Sequence, residues 1–141
     1  MLCGLPALLS ADTIIIKDAY AYRSTPSSKA GGIFMKIHNH GTADDRLVSV
    51  VSAAARKAEL HTHIESADGV VKMRPVLDGF VIEAGKMAML KRGADHVMLM
   101  GLRGRWQQGD LISIVLTFEK AGEMTLDVSV DLNRADAANS R

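Results

Sequence analysis

The residues of this chain that could do chemistry are histidines and methionines, and they cluster. The chain has five histidines and eight methionines. Imidazole nitrogen is a borderline donor and thioether sulfur a soft one. Eight of these residues fall within the segment 61–100: His61, His63, Met73, Met87, Met89, His96, Met98 and Met100. The clustering indicates a site for a soft metal ion.

Strand geometry predicts which of these side chains can meet. Successive side chains of a strand point to opposite faces, so His61 and His63 share one face of a predicted strand. By the same rule, His96 and Met98 share a face of a second strand. Met73 lies on a strand that returns from the His61 strand through a predicted hairpin. We therefore expect two ligand-bearing strand faces to meet at one site.

The whole chain predicts short strands separated by turn residues, with no helical periodicity of useful length. Turn pairs such as Asp68-Gly69 and Asp78-Gly79 lie between the candidates. Ten strands are predicted, at 13–22, 32–39, 46–52, 58–64, 70–75, 80–83, 87–91, 96–101, 111–119 and 124–132. We expect an all-β antiparallel fold, closed as a Greek-key sandwich or barrel.

Length and composition predict one domain. A chain of 141 residues with 48% apolar content can build one core, which we assign to residues 12–132, with a flexible tail at 133–141. The formal net charge of +1 is spread along the chain and leaves no basic stripe, so nucleic acid is not an expected partner. No acid–base pair, nucleophile triad or phosphate loop is apparent, and we expect a protein that is not an enzyme.

Residues 1–11 form a short apolar run that resembles the end of a signal peptide, although a basic leading segment is missing. We interpret it as a remnant of an export signal; the alternative is an ordinary disordered N-terminus. Cleavage would remove Cys3, the only cysteine. A mature chain without thiols suits an oxidising compartment. The rest of the chain has no apolar run of membrane-spanning length.

Three segments resemble a known family: Ala58-Glu59-Leu60-His61, the run from Gly69 to Pro75, and the run from His96 to Leu102. They are similar to the periplasmic copper chaperones called PCuAC, and the likeness extends from Asp12 to about Asp131. The resemblance implies a cupredoxin-like fold, a periplasmic location and delivery of copper. The recipient would be the copper centre of a cytochrome c oxidase subunit, or another copper assembly factor. We expect a monomer.

The family motif is a histidine, a methionine some ten residues on, and a His-x-Met pair after about twenty more. Transferred to this chain, it falls on His61, Met73, His96 and Met98, with eleven and twenty-two residues in the two gaps. The resemblance implies that these four residues bind one Cu(I) ion. Two features depart from the family: Trp106 stands where a smaller aliphatic residue is expected, and a His- and Met-rich C-terminal extension is missing. The missing extension puts in doubt a secondary Cu(II) site of the kind that depends on one.

The donor types agree with this assignment. Two imidazoles and two thioethers form a neutral, soft set that favours Cu(I) over magnesium or calcium, and zinc prefers thiolate, imidazole and carboxylate ligands. Blue-copper electron carriers use a cysteine thiolate, which the mature region lacks. Metal transfer therefore fits the ligand set better than electron transfer.

The remaining candidates have several interpretations. His63 could be an accessory ligand of a weaker Cu(II) site, a hydrogen-bond partner of a ligand, or an exposed residue. Trp106 could face a partner or cap the core, and Met100 could pack behind the site or in the core. Structural roles are predicted for His38 and His40, and core packing for Met35, Met87, Met89 and Met124.

Two other functions compete with the copper chaperone. One is a cupin-like metal-dependent enzyme, in which His61, His63 and Glu65 would bind iron or manganese. The spacing of Glu65 fits that class poorly. The other is a metal-free β-sandwich interaction module, which accounts for the strands and leaves the ligand cluster unexplained.

Overall fold

A computed structural model describes residues 13–23, 25, 27–65, 67–104 and 106–133, and for residues 64, 65 and 71–73 the backbone alone. The predicted signal remnant and all but the first residue of the predicted tail lie outside the described residues. Ten strands are present there: β1 (Ile14–Tyr22), β2 (Ala30–Asn39), β3 (Asp45–Val51), β4 (Ala55–Glu65), β5 (Val71–Pro75), β6 (Phe80–Ile82), β7 (Met87–Leu90), β8 (His96–Leu102), β9 (Leu111–Phe118) and β10 (Gly122–Val130). The all-β prediction is confirmed, and each predicted strand lies within three residues of an observed one at both ends.

The strands form one curled sheet in the order β5-β4-β8-β2-β1-β10-β9-β3-β6, with β7 paired to β2. β1 and β10 pair in parallel, and the other pairings are antiparallel. Strands distant in sequence thus become neighbours. In particular, β8 lies between β4 and β2, which brings the two predicted ligand-bearing strands side by side.

Period-two alternation separates the core from the outer face. In β9 the buried positions are Ile112, Ile114, Leu116 and Phe118, and the residues between them are partly or fully exposed. The same rule sends Leu60 of β4 and Val97 and Leu99 of β8 into the core. Their neighbours His61, His96 and Met98 consequently lie on the opposite face of the sheet, where His61 and His96 are also buried and Met98 is partly exposed.

Trp106 belongs to the core. Only 1% of it is exposed, and its ring packs against Gly31 of β2, where an added Cβ would come within 2.7 Å of Trp106 Cζ3. The glycine makes room for an indole where the family resemblance led us to expect a smaller side chain. Of the two roles left open by the sequence, the structure supports the core role.

The methionines divide between core and surface. Met35 is buried and Met124 packs against the core, as predicted. The prediction was wrong for Met87 and Met89, which are 43% and 49% exposed. The reason is that the alternation of the short strand β7 turns Leu90 inward and these two residues outward.

Within the described residues, no helix has the length and apolar character needed to span a membrane.

Candidate metal centre

His61 and His96 lie directly opposite each other in the antiparallel pairing of β4 with β8. Their ring centroids are 6.0 Å apart, and the two residues are 9% and 2% exposed. Metal–imidazole bonds of about 2 Å each, together with the two ring radii, span roughly 6 Å. The spacing is therefore compatible with one metal ion bound between the two rings.

The tautomer of His61 is set by Glu59, two residues earlier on the same face. Nε2 of His61 lies 2.8 Å from Oε1 of Glu59, and since a carboxylate only accepts, Nε2–H is the donor. Nδ1 then carries the lone pair of the neutral ring. This Nδ1 is buried, with no hydrogen-bond partner among the described residues. A buried acceptor without a partner costs free energy, and a metal ion would satisfy it.

Glu59 is itself held in place. Its other oxygen, Oε2, pairs with Nζ of Lys57 at 3.0 Å. The hydrogen bonds from His61 and Lys57 keep the pKa of the Glu59 carboxyl below its usual range. The carboxylate is thus charged near neutral pH, and it orients the imidazole of His61, as carboxylates commonly do beside metal-binding histidines.

The carbonyl oxygen of Ala94, in the turn before β8, orients the rings of His63 and His96. It accepts from Nδ1 of His96 at 2.9 Å and lies 3.2 Å from Nδ1 of His63. A carbonyl cannot donate, so Nδ1 carries a hydrogen in both rings, which leaves Nε2 as the nitrogen that can bind a metal. The His63 ring is 5.4 Å from that of His96 by ring centroids. His61, His63 and His96 therefore form one histidine cluster, in which His63 and His96 contact the same peptide carbonyl.

Burial keeps His96 neutral. It lowers the pKa of this imidazole, and the nearby His63 and His61 lower it further, against the raising effects of the Ala94 carbonyl and Asp95. A metal-binding histidine must be unprotonated. His96 is therefore ready to bind a cation at neutral pH without first losing a proton.

Met98 brings the soft donor to the same face. It lies directly opposite Glu59, two residues beyond His96 on β8, and is partly exposed. His96, Met98 and His63 line a cavity of about 540 Å³, together with Phe34, Tyr22 and Arg92, whose guanidinium lies 4.6 Å from the centre of the Tyr22 ring. The cavity gives one side of the histidine cluster an opening to solvent.

The predicted hairpin that carries Met73 is present. β4 and β5 pair in antiparallel fashion, and Gly69 in the connecting turn has a φ of +85°. The register places Met73 opposite His63, next to the pair formed by His61 and Pro75. The Met73 side chain lies outside the described part of the chain, as does that of Glu65, the carboxylate of the cupin-like alternative. Within the described residues, no three His, Cys, Asp or Glu side chains are arranged to hold a metal ion.

Sequence reasoning assigned no role to Glu59 or to the Ala94 carbonyl. The Glu59-x-His61 spacing was a usable signal, because residues two apart on a strand share a face. The Ala94 contact had no such signal, because it depends on the path of the turn before β8.

Comparison with solved structures identifies the fold. The copper-bound PCuAC domain from PmoF2 is 24% identical to this chain, with a TM-score of 0.70 over 85% of this chain and 93% of that one. The Cu(I) form of DR1885 from Deinococcus radiodurans is 27% identical, with a TM-score of 0.61 over 84% and 79%. The fold is that of the PCuAC domains, a cupredoxin-like barrel, which confirms both the predicted fold and the resemblance.

The particular family follows from sequence matches. The family model described as "Putative lipoprotein LpqE-like" matches residues 14–130. The protein named "Putative lipoprotein Lxx21020", from Leifsonia xyli subsp. xyli, is 32% identical over 129 residues, covering 92% of this chain and 75% of that protein. The chain belongs to the LpqE-like family.

Proposed function

We propose that this protein is a copper chaperone of the cell envelope that binds one Cu(I) ion through His61, Met73, His96 and Met98. The observation that carries the proposal is the buried Nδ1 of His61, which has no hydrogen-bond partner among the described residues, on a ring 6.0 Å from that of His96. The copper-bound PmoF2 domain and the Cu(I) form of DR1885, which share the fold, support copper as the metal.

The neutral donor set suits a chaperone. Thioethers and imidazoles bind Cu(I) without adding negative charge, and the ion can leave by stepwise ligand exchange. Met98 and His96 line the open cavity, whereas His61 is not among its lining residues. We infer that an incoming ligand from the recipient replaces Met98 first and that His61 is the last to release the ion.

The location and the recipient are part of the proposal. The lipoprotein descriptions of the family and of the Leifsonia protein support export to the cell envelope, and we propose the periplasm. The recipient is the copper centre of a cytochrome c oxidase subunit or another copper assembly factor. A weaker accessory Cu(II) site would use His63, whose ring lies beside that of His96.

A Cu(I) competition titration under strictly reducing conditions tests the site. It compares the parent domain with alanine variants of His61, Met73, His96 and Met98. We expect the parent to bind an equivalent that is lost or strongly weakened in each variant. Equal affinity in the Met98→Ala variant would contradict the assignment, and a preference for zinc or iron would favour the enzyme alternative.

Transfer is tested separately. The copper-loaded domain is mixed with a copper-free oxidase subunit that bears the acceptor site, and the two proteins are separated before their copper content is measured. Copper should move to the subunit faster from the domain than from the same concentration of a small-molecule Cu(I) complex of equal affinity. Equal rates would show that copper reaches the subunit through free solution and not by direct transfer from the domain.

A further inference from the structure

A second group of soft and borderline donors lies on the outer face of β2, beyond the candidate centre. His38 and His40 flank Asn39 at the end of this strand, with ring centroids 3.9 Å apart. Nδ1 of His38 is buried and has no hydrogen-bond partner among the described residues. The pair thus repeats a feature of the first site, namely an imidazole nitrogen without a partner beside a second imidazole.

Met87 adds a thioether to this pair. It lies directly opposite His38 in the pairing of β2 with β7, and 43% of it is exposed. Side chains directly opposite in an antiparallel pair have Cβ atoms about 5 Å apart, which is within reach of a methionine sulfur. Met89 faces Lys36 in the same pairing and is offset from the histidines. The core role predicted for Met87 is wrong, which leaves its sulfur available as a ligand.

The backbone that carries the two histidines is held firmly. The Asn39 side chain donates to the carbonyls of Ala43 and Ile82, at 3.0 and 2.9 Å, and accepts from the N–H of Gly41 at 2.8 Å. The N–H of His40 donates to the carbonyl of Thr13 at 2.7 Å. Asn39 is 1% exposed. These contacts fix the Cα positions of His38 and His40. Little conformational entropy is therefore lost when both rings bind one ion.

The charges around the pair favour a monovalent ion. Lys17 and Lys36 face each other across β1 and β2 next to His38, and Asp18 pairs with Lys36 at 3.4 Å. Neighbouring lysines repel a divalent ion more strongly than a monovalent one, and a thioether prefers Cu(I).

From these contacts we propose that His38, His40 and Met87 form a second Cu(I) site, weaker and more exposed than the first. The two sites share the outer face of β2, where Phe34 lies beside His96 at a centroid distance of 5.9 Å. His38 is four positions beyond Phe34 on β2, and at about 3.3 Å per position the two sites lie roughly 13 Å apart along the strand.

The test uses Ag(I) as a redox-inert probe for Cu(I), with NMR of the imidazole nitrogens and of the methionine methyl groups. In a His96→Ala variant, which disables the first site, Ag(I) should still shift the signals of His38, His40 and Met87. The proposal is overturned if these signals do not move, or if Ag(I) shifts only residues of the first site.

Competition titrations with Cu(I) give the second readout. The parent should bind a second, weaker equivalent, whose Kd rises about tenfold or more in His40→Ala and Met87→Leu but not in the matched control Met89→Leu. His40 is exposed, so its replacement should leave the fold intact, as circular dichroism would show. If the parent binds no tight equivalent, the proposed function is contradicted; if it binds the tight equivalent but no weaker one, this inference is contradicted.

Discussion

The Glu59 carboxylate on β4 accepts a 2.8 Å hydrogen bond from Nε2 of His61, on the same face of the same strand. The bond selects the tautomer that leaves Nδ1 of His61 able to bind a metal ion. A residue that never touches copper would thereby control one of its proposed ligands.

We predict that Glu59→Ala weakens Cu(I) binding about 10–100-fold, because the His61 ring loses the hydrogen bond that fixes its orientation and its tautomer. Lys57→Ala is the matched control: it removes the ion pair with Glu59 and leaves the carboxylate, so its affinity should stay close to that of the parent. Competition titration of the two variants measures the difference. Equal affinities would show that the hydrogen bond has no influence on the metal.

Met98→Ala should weaken Cu(I) binding by more than Glu59→Ala does, since it removes a proposed ligand and not the partner of one. Met124→Leu is the control, because Met124 packs against the core on β10. The same titration compares them. A loss of affinity in Met124→Leu as large as that in Met98→Ala would mean that general packing, and not thioether ligation, explains the effect.

Gly31→Ala should destabilise the fold by roughly 1–3 kcal/mol, because the new methyl group would overlap the Trp106 ring. Chemical denaturation followed by Trp106 fluorescence measures the change. Trp106→Leu is expected to be destabilising by itself, yet to reduce the cost of Gly31→Ala in the double variant. Additive effects of the two substitutions would contradict the packing contact.

Asp45→Ala should destabilise the fold by on the order of 3 kcal/mol. The buried Asp45 carboxylate accepts from the backbone N–H groups of Arg46, Lys120 and Ala121 at 2.8, 2.8 and 3.0 Å. Its neighbour Asp44 is exposed and accepts from the N–H of Ala84, so Asp44→Ala should cost about 1 kcal/mol or less. The denaturant midpoints of the two variants measure the difference. Similar midpoints would contradict the role of Asp45 in holding these three backbone N–H groups.

The copper-free protein should lose stability as the pH falls. Burial holds the pKa of His96 in the folded state below its unfolded value of about 6.5. The unfolded chain therefore takes up the proton first, and the free energy of unfolding falls from about pH 6.5 until the folded pKa is reached. His96→Asn should remove this part of the pH dependence. Denaturation at several pH values tests it, and an unchanged slope in the variant would exclude His96 as the source.

Much of the fold followed from alternation alone. The pattern in β9 predicts both the strand and its buried face, and in β4 and β8 it separates Leu60 and Val97 from the histidines. What alternation cannot supply is which strands become neighbours. The pairing of His61 with His96 depends on β8 lying beside β4, and that order is a property of the whole sheet.

The remaining differences also have physical causes. Met87 and Met89 were predicted to be core residues because methionine is usually buried. A short strand, however, turns alternate side chains outward whatever their type. Trp106 was ambiguous because its burial depends on the absence of a side chain at Gly31, seventy-five residues earlier in the sequence. Neither feature is local, so no pattern within one segment could reveal it.

The shared acceptor at Ala94 ties the two rings of His63 and His96 to a single peptide unit. The turn that contains this peptide is held to β4 by the hydrogen bond from Thr62 Oγ1 to Asp95 Oδ1, at 2.7 Å. A rotation of that peptide would release both Nδ1 groups at once and change which nitrogens the two rings present. In the proposed copper site, this peptide would act as a common support, and its movement would change the nitrogens offered by His63 and His96 together.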